Sequence, residues 1–395
     1  MQIMIPEFRF MYSTPDGNPR ILDSTGLQNT VPVTRDESPS SKVNHITYIN
    51  YMESIRTFLL EHLKEFQDLV LEKSQATVET RSIDLVAEKR GADYFPASVR
   101  VRTGKDEIWF AVNVALTERG LSRIRQDYDL LKSLGSKGEN KFLPEVFFIN
   151  TLQDSSASMV GSHIRMFLAE WFRGYHEFHI ANSVKNNQSV FSLWDTDNGY
   201  SEFPESVALQ LIEKVSYILS YFFNLDTFQE IYPWHHAAGD FIAKLAPFPD
   251  VKLITVRQYE SRVSFPDDSH ENLNDALLIF LANLTIRARI DRIDGTGEFV
   301  WLGGEFVKSI FIGFLKSMMT KEQEKRGSYD FFKKFIKTLG TRTIENWSQL
   351  FIQIIESYDQ RAPDFEIIKE NLVDHIFDVY QNCQDLMIEN KIDIK

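Results

Sequence analysis

The chain has 395 residues, of which 43% are hydrophobic and 25% charged, and a formal net charge of −13. This length suffices for a large hydrophobic core and favours two or three structural units. The negative charge disfavours a general electrostatic interaction with nucleic acid or with an anionic membrane, so we expect neither as a partner.

The N-terminal residues Met1–Phe10 lack the charged and long apolar regions of a secretory signal. No apolar run approaches the roughly 18 residues that a membrane span needs. The single cysteine, Cys383, excludes an intrachain disulfide framework and a cysteine-based zinc cluster. Its spacing from Val379 and Leu386 predicts a buried position on a helix. We therefore expect a cytoplasmic protein.

The first part of the chain divides into a leader and a helix. Residues 1–44 contain many prolines and glycines without a sustained period, which predicts an irregular leader. From His45 to about Lys73, apolar residues recur every three or four positions, as in an amphipathic helix.

A small antiparallel sheet is predicted next. Strand-like runs cover residues 77–88, 97–102 and 108–116, with turn residues between them. A helix then ends near Gly135. Two further strands, Glu145–Asn150 and Arg165–Phe172, complete a candidate sheet of five strands.

After Gly174 the composition becomes helical, and a buried helix face over residues 207–222 leads to the most informative stretch. This stretch is Ile231-Tyr-Pro-Trp-His-His-Ala-Ala-Gly-Asp240, and the apolar run Val251–Ile254 follows it closely. Polar groups between aromatic residues, followed by a short apolar run, predict a loop and a strand hairpin. Further helices are predicted over residues 271–290, 305–319, 328–339, 343–358 and 364–388.

This order of elements resembles the protein-kinase-like fold, and from about Thr77 to Asp294 it is most similar to the aminoglycoside and choline phosphotransferase branch. The resemblance implies a two-lobed α+β protein. The N-lobe, residues 45–170, would hold the five-stranded sheet, its helix and the preceding helix. The C-lobe, residues 171–395, would be mostly helical. The chain could instead have a helical body unrelated to kinases. In that case residues 77–172 would not form a five-stranded sheet with one helix.

The nucleotide-binding positions of the family differ here. Phe110-Ala-Val-Asn113 looks like the strand that carries the phosphate-binding lysine, but an asparagine stands in that position and supplies no positive charge. Asp127 is the nearest match to the glutamate that braces this lysine, with a solvated helix residue as the alternative. Ala169, Glu170 and Trp171 resemble the hinge whose backbone meets adenine in relatives.

The catalytic loop of the family also has counterparts. With Gly239 aligned on the family glycine, Asp240 falls on the metal-binding asparagine and His235 on the catalytic aspartate. A carboxylate suits Mg²⁺ as well as an amide does, so Asp240 is the candidate metal ligand. The second metal-binding aspartate is replaced by Thr255. Arg257 adds a cation where the metal would lie, and Glu260 is a possible partner for it.

Two other groups of residues are candidates for ligand binding. His176 and His179 have the i, i+3 spacing of a helix, and His235 and His236 are adjacent, but a structural role is the commoner outcome for such histidines. Between residues 286 and 297, arginines and aspartates alternate on what reads as a helix ending in a glycine turn. This pattern fits an ion-pair lattice better than an anion site.

The lysine, the catalytic aspartate and the second metal aspartate are all absent together, so Mg²⁺-dependent transfer from ATP is not supported and no cofactor is expected. The resemblance implies a catalytically inactive, pseudokinase-type binding or scaffold module that takes an unknown small molecule or protein in the inter-lobe cleft. The alternative is an atypical phosphotransferase or nucleotidyltransferase. It would use Asp240 as metal ligand, His235 or His236 as base and Arg257 as phosphate clamp.

Overall fold

The computed structural model divides into two compact units. The first unit comprises Met1–Gly174 with Asp195–Gly199, and the second comprises Tyr175–Trp194 and Tyr200–Lys395. The predicted α+β class is confirmed. The structure describes residues 6–14, 18–31, 46–74, 82–89, 91, 93–104, 106–136, 141–153, 163–182, 189–195, 199–236, 239–265, 272–295, 297–324 and 329–390. Parts of the predicted leader, and residues 77–81 of the first predicted strand, lie outside these ranges.

A seven-stranded mixed sheet forms the centre of the first unit, in the order β2-β1-β3-β4-β5-β7-β6. Its strands are β1 (Glu7–Tyr12), β2 (Arg20–Ile21), β3 (Ser82–Ala87), β4 (Phe95–Arg102), β5 (Glu107–Ala115), β6 (Val146–Gln153) and β7 (His163–Glu170). Its helices are α1 (Tyr48–Glu61), α2 (Leu63–Lys73) and α3 (Glu118–Gly135).

Alternation along the strands sends every second side chain into one hydrophobic cluster. Leu85 on β3, Val99 on β4 and Phe110 on β5 lie opposite one another in the sheet register and are fully buried. Phe58 of α1 and Phe66 of α2 belong to the same cluster. These two helices therefore cover one face of the sheet.

The sheet has two more strands than expected, and it is not purely antiparallel. Residues Glu7–Tyr12 of the predicted irregular leader form β1, which runs parallel to β3. Phe8 and Phe10 pack against the hydrophobic cluster. Between them, Arg9 donates two hydrogen bonds, of 2.6 and 2.7 Å, to the buried carboxylate of Asp84. The helix expected over residues 45–73 is also broken in two, at His62.

The second unit combines helices with short strands. Its helices are α4 (Glu205–Phe222), α5 (Leu273–Arg287), α6 (Glu305–Glu324), α7 (Tyr329–Thr341), α8 (Ile344–Glu356) and α9 (Phe365–Asn390). Its strands are β8 (Glu177–Asn182), β9 (Ser189–Asp195), β10 (Gly199–Phe203), β11 (Gln229–Ile231), β12 (Phe241–Lys244), β13 (Asp250–Leu253), β14 (Tyr259–Ser261), β15 (Ile290–Arg292) and β16 (Phe299–Trp301). Among the described residues, no helix has the length and apolarity to cross a membrane.

Two sequence expectations for this unit were wrong. The sheet β10-β9-β8 was not expected in a region that reads as helical after Gly174. The arginine and aspartate stretch does not continue as a helix beyond Arg287, because residues 290–292 form β15 and pair with β16. Cys383 is buried as predicted, and its thiol donates to the carbonyl of Leu339 at 3.3 Å.

Helices α4 and α6 pack closely at Gly313. A Cβ atom added there would lie 2.1 Å from the carbonyl oxygen of Glu213 and 2.9 Å from the Cβ of Ser216. The Ser216 hydroxyl donates to the carbonyl of Ile310 at 2.6 Å. Glycine is therefore required at this crossing because the two backbones nearly touch.

Substituting Gly313→Ala should lower the free energy of unfolding by about 2 kcal/mol, since overpacking outweighs the better helix propensity of alanine. Urea denaturation measures this. Gly91→Ala is the control, because its added Cβ would meet its nearest atom at 3.6 Å. It should change stability by at most about 0.5 kcal/mol, and equal losses in the two variants would contradict the close crossing.

Helix α9 is anchored by the fully buried His375. Its Nδ1 lies 2.9 Å from Nη1 of Arg289 and its Nε2 lies 3.2 Å from Oγ1 of Thr285. Because Arg289 can only donate, Nδ1 must accept, and the proton of the neutral ring is assigned to Nε2. Burial, together with the charge of Arg289, holds the pKa of His375 well below its usual value of 6.5.

A histidine with a lowered pKa contributes stability that is complete above the unfolded-state pKa and is lost as the pH falls below it. His375→Leu should therefore be less stable than the wild type at about pH 7.5, and this gap should shrink by about 1.4 kcal/mol at about pH 5.5. Urea denaturation at both pH values tests this. A gap that does not depend on pH would show that His375 is not held neutral.

Candidate functional site

The loop between β11 and β12 lies in the second unit and has an apolar base. Trp234 is buried, and its ring meets that of Phe241 edge to face at 6.0 Å. Gly239 adopts a φ of +74°, and a Cβ there would lie 2.6 Å from Oε1 of Glu177. The positive φ favours glycine at this position, whereas the flexible Glu177 side chain could move away from a Cβ atom. The chain then enters the antiparallel hairpin of β12 and β13.

Asp240 is the centre of this loop and is only 2% exposed. Nη1 and Nη2 of Arg257 donate to its two carboxylate oxygens, each at 2.6 Å. The backbone N–H of His235 donates to Oδ2 at 2.8 Å, and the backbone N–H of Ile254 donates to the Asp240 carbonyl at 2.9 Å. Asp240 thus links the loop, the β12–β13 hairpin and the segment that follows β13.

These contacts do not fit the predicted role of Asp240 as a metal ligand. Both oxygens already accept charge-assisted hydrogen bonds from Arg257, so a divalent ion would have to displace the guanidinium. A metal ion beside the guanidinium would also be repelled by it, since even two unit positive charges about 4 Å apart repel by about 4 kcal/mol near a protein surface. Across the described part of the chain, no group of three or more His, Cys, Asp or Glu side chains is arranged to hold a metal.

His235 is poorly suited to act as a general base. The ring nitrogens of His235 and His236 are buried and make no hydrogen bond to any residue that the structure describes. Burial, and then the neighbouring His236, lowers the pKa of His235 to about 3. Because a general base works best with a pKa near the working pH, His235 would be a weak base.

His236 lies beside a carboxylate that sequence reasoning assigned to an ion-pair lattice. Its Nε2 is 3.6 Å from Oδ2 of Asp291, beyond hydrogen-bond distance, and both side chains are 1% exposed. Asp291 accepts hydrogen bonds from the backbone N–H groups of Ile180 at 3.0 Å and Arg292 at 2.7 Å. Asp291 therefore connects β8 to β15. The sequence offered no signal for this because both donors are backbone groups.

Of the other histidine pair, His179 lies on β8 and His176 immediately precedes this strand. His176 exchanges two backbone hydrogen bonds with Ala243 of β12, at 2.9 and 2.8 Å, and His179 is a buried residue of β8. Neither histidine belongs to a helix. The helical spacing read from the sequence is therefore wrong, and this geometry favours the structural role.

The predicted nucleotide-binding residues belong to the first unit. Asn113 lies on β5, opposite Pro96 of β4 and Phe167 of β7. Asp127 of α3 is 3% exposed and accepts a 2.5 Å hydrogen bond from the hydroxyl of Tyr94. Burial and this carboxylate together raise the pKa of Tyr94. The alternative of a solvated Asp127 is therefore wrong.

The predicted hinge residues are partly used by the sheet. Ala169 is buried opposite Ala111 of β5. The backbone N–H of Glu170 donates to the carbonyl of Glu145 at 2.8 Å. The ring of Trp171 lies 6.1 Å from that of Trp109. At Glu170, the backbone donor that a hinge would offer to a ligand is already bonded.

Side chains of the first unit interact with one another on the sheet face that carries Asn113. The hydroxyl of Ser98 donates to Glu88 at 2.6 Å, and Ser98 is fully buried. The guanidinium carbon of Arg100 lies 4.0 Å from the ring centroid of Trp109. Because Ser98 and Arg100 lie opposite Ala111 and Trp109 in the register, this face is lined by interacting polar and aromatic groups.

Neither the comparison with protein-family models nor the search of curated proteins finds a match to this chain.

A double-mutant cycle measures the central ion pair. Asp240→Asn, Arg257→Gln and the double variant should give a coupling energy of about 3 kcal/mol, because each single change leaves a desolvated charge without its partner. The control is the Asp359–Arg361 pair, whose side chains are 59% and 91% exposed. Its coupling should stay below about 0.5 kcal/mol. Similar values for the two pairs would contradict the importance of the Asp240 contact.

Proposed function

We propose that this chain is a kinase-like protein related to the aminoglycoside phosphotransferase branch, and that it acts as a pseudokinase-type binding or scaffold module rather than as an enzyme. The observation that carries the proposal is the engagement of Asp240 by both guanidinium nitrogens of Arg257 and by the His235 amide. The carboxylate best placed to hold a metal ion is thereby used within the protein.

The order of elements supports the kinase-like part of the proposal. Strands β3, β4 and β5 form an antiparallel meander, α3 follows, and β6 and β7 complete the five strands that the family plan requires. The loop and the β12–β13 hairpin come later, after α4. A helical body unrelated to kinases would lack a five-stranded sheet with one helix over residues 77–172.

The chemistry of the described residues supports the proposal that the protein is catalytically inactive. Phosphoryl transfer depends on metal ions and cations that neutralise the transferred group. Asn113 offers only an amide, Thr255 replaces a carboxylate, and Asp240 is neutralised by Arg257. Each loss removes a separate electrostatic contribution to transition-state stabilisation.

Contacts on the sheet support the expectation of weak nucleotide binding at best. The interactions of Ser98 with Glu88 and of Arg100 with Trp109 occupy polar and aromatic groups on the sheet face on which a nucleotide would have to lie. We expect the physiological partner to be a small molecule or protein whose binding does not depend on Mg²⁺-ATP. The alternative, an atypical phosphotransferase or nucleotidyltransferase, would require Arg257 to leave Asp240 before it could clamp a phosphate.

Thermal unfolding with ATP or ADP, each with and without Mg²⁺ or Mn²⁺, tests the proposal. No metal-dependent rise in the melting temperature is expected, because a ligand stabilises the protein only if it binds the folded state. Incubation with labelled ATP and candidate acceptors should give no transfer. Transfer that is lost in Asp240→Asn would contradict the proposal and favour the atypical enzyme.

A further inference from the structure

We propose that Arg257 is the resident cation of the loop: its guanidinium does for Asp240 what a bound metal ion would otherwise do. In this role it neutralises a buried carboxylate and fixes the loop to the segment that follows β13. The loop would then be complete without any dissociable ion.

The geometry of the carboxylate supports this role. A buried charge is tolerated when it is paired and hydrogen-bonded, and Asp240 is only 2% exposed. The planar guanidinium meets its two oxygens with two parallel bonds of 2.6 Å, an arrangement that a lysine ammonium cannot reproduce. The guanidinium thus supplies both the charge and the two-point attachment.

The path of the chain explains why the cation must be attached. Asp240 immediately precedes β12, and Arg257 lies after β13, so the hairpin returns the chain to the carboxylate. The Ile254 amide binds the Asp240 carbonyl, and the His235 amide binds its Oδ2. A cation on residue 257 therefore closes the hairpin and the loop with the same contact.

The resident-cation role rests on the proposed function because both deny Asp240 to a metal, but the two can fail separately. Phosphate transfer by the wild type would overturn the proposed function. The resident cation is tested instead by chemical rescue, which requires no activity.

The experiment measures the melting temperature of Arg257→Ala with and without millimolar guanidinium chloride, against sodium chloride at equal ionic strength. The variant should melt several degrees below the wild type, and guanidinium should restore part of the loss. The double variant Arg257→Ala/Asp240→Asn should not respond, because the carboxylate that binds the cation is gone. Arg361→Ala, which removes an exposed arginine, is the matched control and should also not respond.

Arg257→Lys covers the case in which Arg257→Ala does not fold. It keeps the positive charge without the planar guanidinium, so its melting temperature should lie between those of the wild type and Arg257→Ala. If only the lysine variant folds, its melting temperature should lie below that of the wild type. Absence of guanidinium rescue in a folded Arg257→Ala would overturn the proposal. Equal rescue in the double variant, or an Arg257→Lys variant as stable as the wild type, would also overturn it.

Discussion

The ion pair between Asp240 and Arg257 is the contact on which the loop of the second unit depends. A carboxylate that is almost completely buried must be compensated, since an unpaired charge in that position costs several kcal/mol. The compensation comes from two guanidinium bonds and one backbone amide. Gly239, with its positive φ, brings the chain to this point, and the β12–β13 hairpin returns it to Arg257. These contacts fix Asp240 to the described residues on both sides of the hairpin.

The cores of the two units do not depend on the residues of the proposed catalytic positions. The first unit is stabilised by the cluster around Leu85, Val99 and Phe110, and the second by the close crossing of α4 and α6 at Gly313. These interactions lie outside the loop. The loop can therefore vary in its chemistry while both cores are kept, because function lies in sites placed on a fold.

Sequence periodicity predicted most of the long elements, because a helix such as α4 carries its apolar face at every third or fourth residue. It missed β1, although Phe8 and Phe10 alternate with Arg9, because the pattern is short and the partner Asp84 lies 75 residues away. The candidate residues of the loop came from the resemblance, with Gly239 aligned on the family glycine. Their contacts could not be predicted, because Asp240 and Arg257 meet only after the hairpin folds back. From the sequence alone, the nearer Glu260 was a possible partner of Arg257.

A crystal structure of the wild-type protein grown with Mg²⁺ and a non-hydrolysable ATP analogue would test the central claim most directly. The account predicts that both guanidinium bonds between Arg257 and Asp240 persist and that no metal ion lies on the Asp240 carboxylate. A metal coordinated by Asp240, with Arg257 displaced towards a phosphate, would contradict it.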